Sequence, residues 1–485
     1  MVIRTRVAPS PTGEFHIGGM RTLMYNWAFA RKFDGKFVLR IEDTDRERYV
    51  EGAVERMKKV VRDYGFDWDE GPDVGGSYGP YVQSQRLELY KKYALELVKP
   101  GKAYYCFCTE ERLEKLREEQ RKQKRPVTKY DRFCLNLSKD EIEKNLKDAR
   151  PYVIRLKVPD NEEIVVEDLI LGKLVFPSND IDDQILLKSD GFPTYHLAVV
   201  VDDHFMEISH VLRGREWLPS TPKHILLFRA FGWKEPVYAH LPLLREVDST
   251  KKMSKRLGDV AALDFLNSGY LPEALDNFMM FLGWNPGTEK EMYTLGEFVK
   301  DFSIEKVQKS EMAAFDRQKL LWLNGLYIRK MPTEKLLERI EIWYEEYDKK
   351  LDIGKCGRDF NLKVLKLVQE RMKTLNEFND LTSYFYKRPD IDKGEVGKFA
   401  SGKEKSKEMI KNYLAVYKGI LDKNWDKDNL DKISHEKLSE FGYQAKDAFM
   451  TLRYVVCGKE YTPPLFDVFN LLGKKEVIER LESVI

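Results

Sequence analysis

Val2-Ile-Arg-Thr-Arg-Val-Ala-Pro-Ser-Pro-Thr-Gly-Glu-Phe-His-Ile-Gly-Gly-Met20 is the stretch that decides the fold. Its first residues alternate between apolar and polar, which predicts a β-strand ending near Val7. Pro9 and Pro11 then favour a turn, because the residue before a proline is driven away from helical geometry. A glycine-containing segment follows at once.

After Gly18 and Gly19, apolar side chains recur at the spacing of one helical face over residues 20–28. Residues 37–41 then form a short apolar run that is typical of a buried strand. Strand, turn, helix and strand open a βαβ unit, and such units build parallel sheets that bind ligands at the carboxyl ends of their strands. The sequence therefore predicts an α/β domain of Rossmann type.

Composition limits the remaining possibilities. The chain has 485 residues, 42% of them hydrophobic, which indicates several folded domains. Its 82 Lys and Arg nearly balance 80 Asp and Glu, so any nucleic acid must bind to local basic patches. No apolar run reaches the ~20 residues of a membrane span, and the five cysteines are too scattered for a disulfide framework. We expect a cytoplasmic protein.

The segment Pro11-Thr-Gly-Glu-Phe-His-Ile-Gly-Gly19 is the first candidate for chemistry. Backbone N–H groups and the helix dipole make a helix N-terminus a ready phosphate site. His16 can donate to a phosphate, and Gly18 allows a nucleotide to approach the backbone. The alternative at this segment alone is an ordinary tight turn in which His16 caps the helix.

The polar loop Lys251-Lys-Met-Ser-Lys-Arg256 is the second candidate. Cations beside a small hydroxyl can clamp a polyphosphate and neutralise the charge that develops during nucleotidyl transfer. A solvated basic loop is the alternative for this loop taken alone.

Together, these two motifs resemble the signature of class I aminoacyl-tRNA synthetases. Further stretches are similar to glutamyl-tRNA synthetases of bacterial type: Arg6-Val-Ala-Pro-Ser-Pro-Thr-Gly13, Arg40-Ile-Glu-Asp-Thr-Asp45, Asp69-Glu-Gly-Pro-Asp-Val-Gly-Gly76, Pro193-Thr-Tyr-His-Leu-Ala198, Val201-Asp-Asp-His204, Arg213 ahead of Glu216-Trp217, and Thr462-Pro-Pro-Leu-Phe466. The resemblance covers the chain from its first residue to its last predicted helix.

The resemblance implies roles for individual side chains. Its glutamate pocket comprises Arg6 on the side-chain carboxylate, Glu42 facing the α-ammonium, the hydroxyls of Ser10 and Tyr195, and Arg213 as a second arginine. Its ATP and catalytic residues are His16, Gly18, Lys252, Ser254 and Lys255. It also implies Mg²⁺ bound with ATP, and L-glutamate, ATP and the glutamate tRNA as the partners of a monomer.

The chain departs from the family pattern at several positions. Gly19 stands where the class signature has a second His, Arg215 where an acid is more usual, and Val199 where some relatives carry a polar residue. Cys106, Cys108 and Cys134 resemble a zinc knot, but the fourth ligand position holds Asn136, and structural zinc needs four ligands. We therefore expect no zinc and no protein-bound metal.

The resemblance also implies a multidomain layout, in which an α/β Rossmann-type catalytic domain with an inserted α+β domain precedes an all-α C-terminal half. The parts are the split catalytic domain (1–82 and 197–246), an inserted acceptor-end-binding domain (83–196), a stem-contact domain with the basic loop (247–331), and helical anticodon-binding domains (332–390 and 391–485). Arg371 matches a position that reads the third anticodon base.

Three rival functions differ in what the sequence says against them. A non-discriminating enzyme, which also charges the glutamine tRNA with glutamate, stays open. A non-catalytic RNA-binding relative is disfavoured by the intact basic loop and pocket residues. A small-molecule nucleotidyltransferase is disfavoured by the length of the chain and its helical tail.

Overall fold

The computed structural model describes residues 2–125, 128–253, 260–351, 353, 356–392, 394–399 and 402–485. The chain divides into two compact units: unit 1 is Met1–Phe265 with Leu275–Asp316, and unit 2 is Leu266–Ala274 with Arg317–Ile485. Among the helices described, none combines the length and the apolar character that crossing a bilayer requires.

Unit 1 contains short strands arranged in several small sheets. The strands are β1 (Arg4–Val7), β2 (Lys36–Leu39), β3 (Ala103–Cys106), β4 (Val153–Leu156), β5 (Glu163–Asp168), β6 (Gly172–Pro177), β7 (Ile185–Leu187), β8 (His210–Gly214), β9 (Val237–Leu241), β10 (Leu243–Glu246) and β11 (Met312–Phe315). β1 pairs with β2, and β10 with β11, both in parallel. β3-β4-β7 is antiparallel, and β6-β5-β9-β8 is mixed.

The helices of the chain up to residue 301 accompany these strands. They are α1 (Ile17–Lys32), α2 (Ala53–Asp63), α3 (Leu87–Val98), α4 (Glu110–Lys122), α5 (Lys139–Lys147), α6 (Tyr195–Phe205), α7 (Thr221–Phe231), α8 (Ala262–Asn267), α9 (Pro272–Met280) and α10 (Leu295–Asp301). The predicted order of strand, turn, helix and strand at the amino terminus is confirmed as β1, α1 and β2.

The sheet β6-β5-β9-β8 matters most for the site. β5 and β8 both pair with β9 in parallel, so the carboxyl ends of these three strands lie at one edge. The backbone N–H of Ser209 donates to the carbonyl of Arg4 at 3.0 Å, which links β8 to β1. β5 and β6 fall within residues 83–196, the expected insertion, and nevertheless share a sheet with β8 and β9.

Unit 2 is helical, and no strand occurs in its described residues, as the sequence predicts. Its helices are α11 (Arg317–Lys330), α12 (Thr333–Glu346), α13 (Arg358–Val368), α14 (Glu377–Tyr386), α15 (Lys403–Gly419), α16 (Lys427–Phe441), α17 (Ala445–Cys457), α18 (Leu465–Leu472) and α19 (Lys474–Glu482). Buried side chains such as Ile340, Tyr417 and Phe469 fill its cores, which supply the hydrophobic stabilisation that helical propensity alone does not.

Candidate active site

A cleft of about 570 Å³ opens in unit 1 at the carboxyl ends of β1 and β8 and beside the starts of α1 and α6. Its walls include eight of the predicted residues: Arg6, Ser10, His16, Gly18, Glu42, Tyr195, Arg213 and Lys252. Ser254 and Lys255 lie outside the described residues. The cleft therefore brings together every predicted glutamate-pocket residue and the described part of the predicted ATP site.

The N-terminus of α1 differs from the expected open cradle of N–H groups. Gly18 N–H donates to Nδ1 of His16 at 2.9 Å, so His16 caps the helix. The N–H groups of Gly19 and Met20 donate to the His16 carbonyl, and that of Ile17 donates to the Val260 carbonyl. The first-turn N–H groups thus have partners within the protein, which corrects the prediction that the Gly18 backbone is open to phosphate.

The two glycines of this turn have close neighbours on the side where a Cβ atom would stand. A Cβ at Gly18 would stand 3.1 Å from Nδ1 of His16, so a side chain there would require the imidazole ring to shift by a few tenths of an ångström. A Cβ at Gly19 would stand 3.0 Å from the ring of Phe15. The departure from a second His at position 19 therefore coincides with an aromatic ring that takes up the space.

The described end of the basic loop is anchored by an ion pair. Nζ of Lys252 lies 2.9 Å from Oε1 of Glu216, and both side chains are partly exposed at the cleft. An exposed pair of this kind contributes only about 0–1 kcal/mol to stability, so an incoming polyanion can compete for the lysine. Glu216 belongs to a stretch that resembles the family, yet sequence reasoning gave it no role.

A buried ion network surrounds Arg6. Its Nε lies 3.2 Å from Oδ1 of Asp203, and Arg40 donates to the same oxygen at 2.7 Å and to Glu42 at 3.0 Å. Burial opposes ionisation of Asp203, but Arg6 and Arg40 outweigh it and lower the pKa of that carboxyl. Arg6 is therefore partly committed to a protein carboxylate before any ligand binds.

Arg213 is as buried as Arg6 but has different partners. Its guanidinium donates to Nε2 of His240 at 3.1 Å, to Oγ1 of Thr221 at 2.8 Å and to the hydroxyl of Tyr195 at 3.3 Å, and Nδ1 of His224 lies 3.4 Å away. Within the described part of the chain, no carboxylate lies within ion-pair distance of it. Arg213 is a buried cation at a cleft with only uncharged acceptors around it.

Tyr195 adds a neutral hydroxyl to the same wall. Burial raises the pKa of Tyr195 to about 12, so the phenol keeps its proton at neutral pH. Its ring lies 4.7 Å from the ring of Trp217, centroid to centroid, which fixes the side chain at the start of α6. Ser10 is exposed at the rim of the cleft.

The two departures beside the pocket do not line the cleft. Val199 lies in the middle of α6, and its side chain is buried, with 2% of the residue exposed. Arg215 is half-buried and donates to the carbonyl of Lys309 at 3.3 Å. Neither side chain therefore alters the wall that faces a ligand.

The three predicted thiols come together beyond β3. The sulfur atoms of Cys106, Cys108 and Cys134 lie within 4.8 Å of one another. A fourth group, the hydroxyl of Tyr130, lies 3.4 Å from Cys106 and 3.3 Å from Cys108, a neighbour that sequence reasoning missed. Burial and the thiols raise the pKa of Tyr130, and its hydroxyl joins the three sulfur atoms in one group of four polar atoms.

Arg371 lies in unit 2, at the end of a short 3₁₀ turn (Gln369–Arg371) that follows α13. Its side chain is exposed, while the adjacent Met372 is fully buried. The turn therefore presents the guanidinium to solvent from a fixed backbone.

Comparisons with known proteins agree over the whole chain. The family described as tRNA synthetases class I (E and Q), catalytic domain, matches residues 2–322, and an anticodon binding domain matches residues 335–485. Glutamate–tRNA ligases of Dehalococcoides mccartyi and Clostridioides difficile are each 42% identical over 100% of this chain, and 97% and 99% of their own chains are covered. A crystal structure of a glutamate tRNA ligase from Elizabethkingia meningosepticum in complex with its amino acid is 33% identical, with a TM-score of 0.87 over 100% of this chain and 99% of that one.

Proposed function

The chain belongs to the glutamate–tRNA ligases among the class I tRNA synthetases, and we propose that the cleft described above is where it activates glutamate. The reaction is the ATP-dependent conversion of L-glutamate to glutamyl-adenylate, followed by transfer to the 3′ end of the glutamate tRNA. The rival non-catalytic and small-molecule functions are set aside by the full-length match to ligases.

The reaction proceeds through two displacements. The α-carboxylate of glutamate attacks the α-phosphate of ATP, the bond to the bridging oxygen breaks, and pyrophosphate leaves. A ribose hydroxyl at the tRNA 3′ end then attacks the mixed anhydride, loses its proton, and AMP leaves. No covalent bond to the protein forms, so positioning and electrostatic stabilisation supply the rate.

The single observation that supports the glutamate assignment is that the described hydrogen-bond partners of Arg213 are all uncharged side chains. A buried cation without a carboxylate partner favours an anionic ligand, because the guanidinium can form a charge-assisted fork with it. In our proposal, Arg213 and the guanidinium edge of Arg6 not bound to Asp203 receive the side-chain carboxylate. Glu42 faces the α-ammonium, and the hydroxyls of Tyr195 and Ser10 complete the pocket.

The opposite end of the cleft is assigned to ATP. His16 bonds phosphate oxygens from the cap of α1, and Gly18 contributes by leaving room for the His16 ring. Lys252 leaves Glu216 and binds the departing pyrophosphate. Ser254 and Lys255 bind the pyrophosphate with it. These roles follow from residue type, position and resemblance.

Mg²⁺ is proposed to arrive with ATP and to neutralise its phosphates. The acids that line the cleft, Glu42 and Glu216, already have Arg40 and Lys252 as partners. Such a set is too small for an all-protein magnesium cage, so the ion is held chiefly by the nucleotide. The absence of zinc at Cys106, Cys108 and Cys134 stays a prediction, and no step of the proposed reaction passes through that cluster.

We further propose the domain layout given by the resemblance, with residues 83–196 binding the acceptor end and the helical tail binding the anticodon. Arg371 reads the third anticodon base. The enzyme is then discriminating, whereas a non-discriminating enzyme would charge both tRNAs.

The deciding experiment compares charging of purified glutamate tRNA and glutamine tRNA with radiolabelled glutamate. We expect kcat/KM for the glutamate tRNA to be higher by about 10-fold or more, the cost of one mismatched base contact. Equal charging of both tRNAs would assign the non-discriminating function. Absence of charging on either tRNA would remove the enzymatic assignment altogether.

A further inference from the structure

Arg213 and His240 face each other across the β8–β9 ladder, where they are register partners. Nε of Arg213 donates to Nε2 of His240 at 3.1 Å, and both side chains are buried. His240 is 0% exposed and does not line the cleft, so it can affect a ligand only through a neighbour.

Asp168, at the end of β5, fixes the other side of the imidazole. Its Oδ2 lies 2.6 Å from Nδ1 of His240, and its Oδ1 accepts the backbone N–H groups of Ile170 and Leu171, both at 2.9 Å. The carboxylate is therefore held from both sides. Burial opposes its ionisation, but the bonds from His240 and Leu171 outweigh it and lower the pKa of Asp168.

These contacts determine where the imidazole proton sits. Burial lowers the pKa of His240 despite the opposing effect of Asp168, so the ring is neutral at pH 7 and carries one proton. The ionised Asp168 only accepts, so that proton lies on Nδ1, and Nε2 is left as an acceptor. Nε2 then receives hydrogen bonds from Arg213 and from Thr221, whose hydroxyl lies 3.1 Å away.

The arrangement closes into a ring of hydrogen bonds in which both branches run from Arg213 to His240. Nη2 of Arg213 donates to Oγ1 of Thr221 at 2.8 Å, and Thr221 in turn donates to His240. The guanidinium is thus oriented without being neutralised. A carboxylate in place of His240 would hold the same Nε–H but would also cancel the charge that a substrate carboxylate needs.

We infer that Asp168 and His240 are positioning residues that set the orientation of Arg213, and through it the preference for glutamate over glutamine. The inference rests on the proposed role of Arg213 in binding the substrate's side-chain carboxylate. Asp168 selects the tautomer, His240 supplies an uncharged acceptor, and Arg213 keeps its full charge for the ligand. Neither Asp168 nor His240 touches the substrate.

The test compares His240→Leu, His240→Gln and Asp168→Asn by ATP–pyrophosphate exchange with tRNA present. His240→Leu removes the acceptor, and Asp168→Asn places an amide N–H against Nδ1 and so turns a donor toward Arg213. We expect both to raise KM for glutamate by about 10- to 100-fold, the worth of one hydrogen bond to a charged group, and to lower selectivity over glutamine similarly. KM for ATP should stay within about 2-fold.

His240→Gln supplies the readout that a purely structural role would not move. A glutamine carbonyl reaches the position of Nε2 and restores an acceptor, so this variant should recover part of the glutamate affinity that His240→Leu loses. His210→Gln, a half-buried histidine on the same strand as Arg213 but outside the cleft, is the matched control and should leave both KM values unchanged.

The outcomes separate this inference from the proposed function. If Arg213→Ala leaves KM for glutamate unaltered, the pocket assignment itself fails. If Arg213→Ala raises it but His240→Leu does not, only the positioning role fails. Equal losses in glutamate and ATP affinity, or equal behaviour of His240→Leu and His240→Gln, would reduce Asp168 and His240 to packing and overturn the inference. Should Asp168→Asn not fold, the two His240 variants decide alone.

Discussion

Replacing Arg6 with Ala tests the pocket at a residue that contributes both to folding and to the proposed binding of glutamate. Arg6 bonds Asp203 and is proposed to bind the substrate's carboxylate, so its loss acts on both. Asp203 nevertheless keeps the 2.7 Å bond from Arg40. The variant therefore leaves no unpaired buried acid, and we expect it to fold with a loss of about 1–3 kcal/mol, the worth of hydrogen bonds to a charged group.

The effect on binding should be of similar size to the effect on folding. Leaving a charge unpaired in a desolvated site costs about 2–5 kcal/mol. Arg213 remains beside the ligand and Arg6 is shared with Asp203, so the lower part of that range applies, about 2–3 kcal/mol. This corresponds to a fall in kcat/KM for glutamate of about 30- to 150-fold. Arg6→Lys should recover little, because an ammonium cannot form a fork.

Steady-state ATP–pyrophosphate exchange, with glutamate and ATP varied separately and tRNA present, provides the measurement. Arg4→Ala is the matched control: Arg4 lies on the same strand, is equally buried and pairs with Glu70, but does not line the cleft. It should lower stability without raising KM for glutamate. An Arg6→Ala enzyme with unchanged KM and kcat would show that the wrong arginine has been assigned.

Three further predictions concern the basic loop, the thiol cluster and the anticodon. Lys255→Ala should slow adenylate formation by about 10²-fold, roughly 3 kcal/mol of transition-state stabilisation, while Lys251→Ala changes it little; wild-type kinetics for Lys255→Ala would remove the loop from the chemistry. Elemental analysis of the purified protein should find less than about half an equivalent of zinc, because Asn136 stands at the fourth ligand position; one tightly held equivalent that Tyr130→Phe abolishes would instead make Tyr130 a ligand. Arg371→Gln should relax the preference for the glutamate tRNA by about 10- to 100-fold in relative kcat/KM, since Gln offers both a donor and an acceptor whereas Arg offers only donors. An unchanged preference in that variant would place anticodon reading elsewhere.

The parts of the fold that were predictable are those set by local pattern. Alternation over Val2 to Val7, prolines after it and helical spacing over residues 20–28 gave β1 and α1, because strand and helix periods can be recognised within one element. The helical tail was predictable for the same reason. The pairing of β5 with β9 was not, since it joins segments about 70 residues apart through a single register position.

The turn at His16 shows how a correct motif can carry an incorrect detail. The motif correctly placed a helix N-terminus at the cleft, and N-termini in general offer N–H groups to phosphate. In this turn the imidazole and carbonyl of His16 and the carbonyl of Val260 have taken them up. The cap by His16 is the alternative that the motif left open, whereas the bond from Ile17 to Val260 joins residues far apart in the chain and cannot be inferred from the motif.

The two pocket arginines differ in their neighbouring side chains, and these neighbours determine how strongly each arginine attracts a substrate carboxylate. Sequence resemblance gives Arg6 and Arg213 similar weight, and both are 5% exposed at the same cleft. Arg6 faces Asp203, whereas Arg213 faces His240, which is 27 residues away, and behind it Asp168, which is 72 residues from His240. Coulomb attraction to a substrate carboxylate is stronger for the cation that has not been neutralised. Removal of Arg213 should therefore cost more glutamate affinity than removal of Arg6, and an opposite order in the exchange assay would show that the charge balance around the two arginines does not govern recognition.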